Sequence, residues 1–154
     1  MRRKERQIKD IQDIESIISG SDVCRIAFAD DYIPYIVTMN FGYYGRDHKC
    51  LYFHCATEGR KLEMIRKNNY VCFEMDNGHE IYEGEKGCDW GMKYSSVVGF
   101  GKISVLNDRD ARIRGLNCIM AHYSDRKDFY YDEKILEKTI ILKLDIEEMT
   151  GKRK

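Results

Sequence analysis

Several things are scarce in this chain of 154 residues, and each scarcity excludes something. There is a single proline, Pro34, and no linker, internal repeat or low-complexity tract breaks the sequence, so one domain is expected. Charge of one sign is lacking. Lys and Arg number 26, as do Asp and Glu, so no global field draws the chain to nucleic acid or to an anionic membrane. Only a local basic site remains possible. No apolar run approaches the roughly 20 residues that span a bilayer. The opening "MRRKERQIKDIQDIESIISG" is amphipathic and lacks the apolar core of an export signal, which makes the cytoplasm the expected location.

Cysteine is not scarce, but its spacing is uninformative. Cys24, Cys50, Cys55, Cys72, Cys88 and Cys118 include no C-x-x-C pair, and four lie in strand-like apolar runs. In a reducing compartment they read as small buried hydrophobes, not disulfides. His48, His54, His79 and His122 show no zinc-type spacing with them, so no metal site is expected.

Apolar periodicity supplies the elements. Ile8, Ile11, Ile14, Ile17 and Ile18 predict an amphipathic helix within residues 1–20. Strand patterns follow at 23–29, at 35–44 after Pro34, and at 50–56, with turns at Asp30–Asp31 and 45–49. A helix is expected over 58–67 and a strand over 70–76. The glycine-rich 77–93 reads as a long loop, followed by a strand over 94–106. Asn107 or Asp108 caps a helix carrying Ile113, Leu116 and Met120 on one face, and 139–149 alternates as a last strand. Many strands and few helices predict a mainly antiparallel barrel with peripheral helices.

The stretch "LYFHCATEGRKLEMIRKN" (51–68) changes there from strand to helix character. With Thr57 as N-cap, Gly59, Arg60 and Lys61 occupy the first helical turn, where the dipole disfavours cations. A bound phosphate resolves that conflict, gathering backbone N–H groups, the Thr57 hydroxyl and the cations. The plainer reading is a solvated helix start. Thr38 and Asn40 share one face of an apolar strand, and Ser95 and Ser96 open another; such groups either bond within the sheet or orient a ligand.

In this order and spacing, "PYIVTMNFGY", "LYFHCATEGRKLEMI", "CDWGMKYSSVVGFGK" and "TIILKLDIEEMTGK" resemble the pyridoxamine-phosphate-oxidase-like, FMN-binding split-barrel superfamily. The nearer likeness is to its nitroimidazole-resistance (Nim) branch. The resemblance implies a six-stranded antiparallel split β-barrel, mainly β with peripheral helices, forming a homodimer with FMN in clefts at the interface. It implies that Ile36, Val37, Thr38, Met39 and Asn40 run along the flavin ring. It assigns His54, Cys55, Arg60 and Lys61 to the corner that holds the phosphate, and Ser96, with Ser95 beside it, to a further flavin contact. Trp90 either covers the flavin or packs at an interface. His54 either serves the flavin or substrate directly, as a proton donor, or is a ring hydrogen-bonded inside the barrel.

The chain ends at "EEMTGKRK", without the Trp and Arg region that closes the pyridoxamine-phosphate site in that superfamily. The expectation is therefore an FMN-dependent reductase of small electron-poor molecules such as nitroimidazoles, not a pyridoxamine-phosphate oxidase. Two alternatives stand. The barrel takes another planar ligand, such as haem or a deazaflavin, with His48, His79 or His122 as an axial candidate; or it stores or senses its cofactor without turnover. Tyr43, Tyr44, Tyr123, Tyr130 and Tyr131, at loops and strand ends, suit a dimer interface as well as packing within one subunit.

Overall fold

A computed structural model describes residues 3–30 and 33–154. The expected turn at Asp30 and Asp31 therefore reaches outside the described residues.

One antiparallel sheet of eight strands organises the molecule. The strands are β1 (Gln7–Ile8), β2 (Cys24–Asp30), β3 (Ile33–Met39), β4 (Gly42–Tyr44), β5 (Cys50–Ala56), β6 (Tyr70–Tyr82), β7 (Gly91–Leu106) and β8 (Thr139–Arg153). Their order is β3-β2-β6-β7-β8-β5-β4, with β1 paired to β8. Two strands, β1 and β4, have only two and three residues, which leaves six long ones. Among the described residues, four α-helices pack around the sheet: α1 (Ile11–Ser19), α2 (Arg60–Lys67), α3 (Arg109–Tyr123) and α4 (Glu133–Glu137).

Alternation sets the faces. Along β2, Cys24, Ile26 and Phe28 point inward, and they meet Phe53 of β5 and Phe73 of β6 in a core that excludes water. In α1 the buried residues are Ile14, Ile17 and Ile18, while Ile11 stays exposed. Asp10 caps that helix by accepting from the Gln12 N–H at 2.9 Å. The predicted opening helix is thus shorter than expected, because Ile8 pairs with Gly151 as a strand residue instead.

Two further expectations are corrected, and one element is added to them. The predicted strand over 35–44 breaks at Asn40 and Phe41 into β3 and β4. The predicted loop over 77–93 is mostly a hairpin, with Glu80 opposite Lys93 and Tyr82 opposite Gly91, so that only 83–90 connects the strands. A register shift between Asn77 and Glu80 interrupts the alternation there and hides the strand from a period-2 reading. Finally, α4 was not anticipated; it has five residues, and Asp132 caps it by accepting from the N–H groups of Lys134 and Ile135.

Gly101 shows why one strand residue must lack a side chain. It stands at a register shift between β7 and β8, where an added Cβ would lie 2.0 Å from the Asp145 carbonyl oxygen.

Candidate functional site

The strands β3 and β5 lie in separate arms of the sheet, since among the described residues β3 pairs with β2 alone, and β5 with β4 and β8. Their facing edges bound a cleft of about 440 Å³. Val37, Thr38, Met39 and Asn40 line one side, and His54, Cys55 and Ala56 the other, with Lys61, Lys138 and Thr139 completing the wall. Of the residues singled out from sequence, the fold therefore gathers Val37, Thr38, Met39, Asn40, His54, Cys55 and Lys61 around one space.

The corner between β5 and α2 differs from expectation in its start. The helix begins at Arg60, and its N-cap is Gly59, with φ 134° and no side-chain capping bond. Thr57 lies outside the helix and is exposed. The reason is conformational: residue 59 sits in the left-handed φ range, which glycine adopts at little cost and a threonine or glutamate does not. The two cations then part company. Arg60 lies over the Tyr35 ring, 4.7 Å from its centroid, whereas Lys61 lines the cleft. Burial pushes the Cys55 thiol up from its ordinary range, and the nearby Lys61 ammonium pulls it back.

Thr139 opens the strand expected over 139–149, but neither it nor Lys138 stands out as a site residue in the sequence, because α4 is what brings them to the cleft. The lysine ion pairs among the described residues involve Lys49, Lys67, Lys93, Lys102 and Lys143. Lys61 and Lys138 are not among them, so the cleft carries two ammonium groups without a carboxylate partner.

The remaining sequence candidates lie elsewhere. Ile36 is 64% exposed and lines no part of the cleft. Ser95 accepts from Arg153 Nε at 3.1 Å, and Ser96 stands between Asp76 and Lys152 in the sheet. Trp90 donates from Nε1 to the Gly84 carbonyl at 2.8 Å, closing the β6–β7 hairpin. Thr57, Arg60, Ser95, Ser96, Trp90 and Ile36 are thus outside the cleft of the single chain.

His54 is exposed and stands at a boundary. While Leu51 and Phe53 enter the core, His54 points to the opposite face of β5 and lines both the cleft and a second cavity of about 360 Å³. That cavity lies between α3, α4 and the start of β8, with walls that include Leu116, Ile119, Met120, Tyr131 and Leu136. Leu116 and Met120 were legible as an apolar helix face; that the face bounds a cavity was not.

The other histidines are engaged. His122 Nε2 lies 2.8 Å from the Ser21 carbonyl oxygen and its ring packs on Phe41, while His79 Nε2 is 2.7 Å from Asp76 Oδ2. In each ring the Nε2 atom is the engaged one. His48, Cys50 and Asp145 bring potential metal-ligating atoms within 4.8 Å of one another, across a strand pair that sequence spacing does not reveal. Asp145 Oδ1 is already 2.6 Å from Lys143 Nζ.

With this geometry established, comparison with known proteins narrows its meaning. Residues 10–153 match the sequence profile of the family described as pyridoxamine 5'-phosphate oxidase. A candidate 5-nitroimidazole antibiotic resistance protein from Bacteroides thetaiotaomicron superposes with a TM-score of 0.84 at 34% identity, over 96% of this chain and 86% of that one. A flavocytochrome from Azotobacter vinelandii gives 0.84 at 14% identity, over 100% and 72%. An FAD-binding protein from Mesorhizobium loti gives 0.69 at 20% identity, over 97% of each chain. These last two share the fold. No curated protein matches the sequence.

Proposed function

Because the chain belongs to the pyridoxamine 5'-phosphate oxidase-like family of split-barrel proteins, we propose that it is a flavoprotein that holds FMN in the β3–β5 cleft and reduces small electron-poor molecules such as nitroimidazoles. The observation that carries this reading is the pairing of Lys61 and Lys138 on one cleft, both without a carboxylate partner among the described residues. An anionic phosphate satisfies both; an uncharged ligand leaves them uncompensated.

The residues present fit the group. The volume lies within the range of about 300–1,000 Å³ usual for ligand sites. Apolar Val37 and Met39 suit the ring, and the Thr38 hydroxyl and Asn40 amide can hydrogen-bond its polar edge. The likeness to a candidate nitroimidazole resistance protein and to proteins named for flavin supports the same ligand class, and FMN is preferred here because the cations lie close beside the cleft's apolar wall.

A bound flavin supplies a carrier of one or two electrons. The protein's part is binding, orientation and proton supply. Lys61 and Lys138 hold the phosphate end, while Thr38 and Asn40 fix the ring's rotation. His54, at the cleft boundary, can hold a proton on a ring nitrogen and give it to a reduced acceptor.

The outer sheet face supports a homodimer. Ile36, Ala27, Cys72 and Phe100 stand in register across β3, β2, β6 and β7, an apolar row on the surface. Ile36 and Phe100 are 64% and 36% exposed, and Tyr70 stacks on Phe100 at 6.3 Å. A second copy covering this row removes the apolar area from water. Six free cysteines suit a reducing, cytoplasmic setting, and no helix among the described residues is long and apolar enough to cross a membrane.

The test is the absorption spectrum of the purified protein, with release and mass determination of any chromophore. Stoichiometric FMN is expected. A colourless protein that takes up no added FMN would overturn the reading; FAD in its place would keep the flavin and correct the cofactor.

A further inference from the structure

We propose that the cavity between α3, α4 and β8 is the binding chamber for the electron acceptor, and that the acceptor is a small uncharged aromatic whose reducible group reaches past His54 into the cleft. The proposal rests on the flavin reading for the reaction, though not for the binding.

The chamber's walls define its occupant. Leu116, Ile119, Met120 and Leu136 make it apolar, and its volume of about 360 Å³ admits a compact ring system but not a dinucleotide. Met120 adds an adaptable, polarisable surface suited to aromatic contact. At the mouth, Tyr130 and Ile135 are 89% and 65% exposed, apolar area that a docked ring would cover.

Most polar groups of the lining are already spent. The Tyr131 hydroxyl donates to Asn117 Oδ1 at 2.8 Å. The Asp132 carboxylate caps α4, and the Thr139 hydroxyl donates to the Ile135 carbonyl at 2.8 Å. Among the described residues of this lining, the His54 ring and the Tyr130 hydroxyl have no hydrogen-bond partner; Tyr130 lies at the exposed mouth, whereas His54 stands where chamber and cleft meet. A ligand therefore finds one orienting group at the inner end, His54.

Charge is sorted between the two spaces. Both lysines, Lys61 and Lys138, belong to the cleft, whereas the chamber's lining holds the Asp132 carboxylate and no Lys or Arg. An anion is favoured in the cleft and opposed in the chamber. A carboxylated aromatic is excluded on that ground, and a neutral one is not.

The test uses the full chain with its flavin, without reductant, and reads the methionine methyl signals by NMR during titration with nitrobenzene or 4-nitrobenzoate. The Met120 methyl is expected to shift saturably with nitrobenzene, and not with 4-nitrobenzoate at the same concentration. Ile135→Glu, an exposed position whose change leaves the core alone, is expected to weaken nitrobenzene binding about tenfold with the flavin spectrum unaltered. Leu116→Trp, which fills the chamber, is expected to do the same. A Met120 methyl that ignores nitrobenzene in flavin-loaded protein overturns the proposal, as does preference for 4-nitrobenzoate or undiminished binding in both variants. A chain that carries no flavin yet answers nitrobenzene at Met120 keeps the chamber and overturns the cofactor reading instead.

Discussion

His54 on β5 and Thr139 at the start of β8 both line the lysine-bearing cleft and the apolar chamber, so the two cavities meet at this pair. The strands bearing them are adjacent, with Ala56 opposite Thr139 and His54 opposite Ile141. A group on this shared wall can serve a ligand in either space.

His54→Gln tests that position. Its ring has no structural partner among the described residues, so the variant should keep its fold and its flavin. Reduction of a nitro-compound is expected to fall by about 10²–10⁴-fold, the usual range for a lost general acid. Steady-state rates of variant and parent check this; an undiminished rate assigns the proton to water.

Lys61→Ala and Lys138→Ala address the anion. Each charge-assisted hydrogen bond to phosphate is worth roughly 1.5–3 kcal/mol, so FMN affinity should drop about ten- to hundredfold in either variant. Riboflavin, which lacks the phosphate, should bind the variants as it binds the parent. Fluorescence titration with both ligands separates a phosphate contact from general damage to the cleft.

Phe100→Glu interrupts the apolar row on the outer sheet face. A carboxylate there opposes burial by a second copy, and the expected result is a shift from dimer to monomer in light scattering at micromolar concentration. A monomeric parent would remove the interface from the proposal.

Glu74 gives stability a pH dependence of known sign. Burial first, and then Asp76, hold its carboxyl above the ordinary carboxylate range, against the pull of Arg25. The native state therefore keeps this proton to higher pH than the unfolded chain does. The group's stabilising contribution is fully present below the unfolded value and is lost as pH rises through the folded one. Glu74→Gln removes this component. Its urea midpoint should fall less than the parent's as pH rises from about 4 into the mildly acidic range; parallel curves would contradict the assignment.

Gly101→Ala measures the close approach of β7 to β8. The new methyl meets the Asp145 carbonyl, backbone against backbone, in a buried position. A loss of about 1–3 kcal/mol or more is expected in denaturant unfolding, because neither strand can yield without breaking its ladder.

Much of this molecule was legible in the residues themselves. Strict alternation at Cys24, Ile26 and Phe28, and the spacing of Ile14, Ile17 and Ile18, determine which faces are apolar, because side chains repeat every two residues in a strand and about every 3.6 in a helix. The strand-to-helix change around Lys61 marked a cationic corner for the same local reason. Tertiary structure decided the rest. Which strands form the two arms, and hence that Thr38 faces His54 across a cleft, depends on pairings between segments far apart in the chain. Lys138 joins Lys61 only because α4 and β8 return to that edge, and the chamber exists only because α3 packs on the far side of β5. Periodicity reports a residue's face, whereas a site needs its neighbours, and those are fixed by long-range burial that no local window contains.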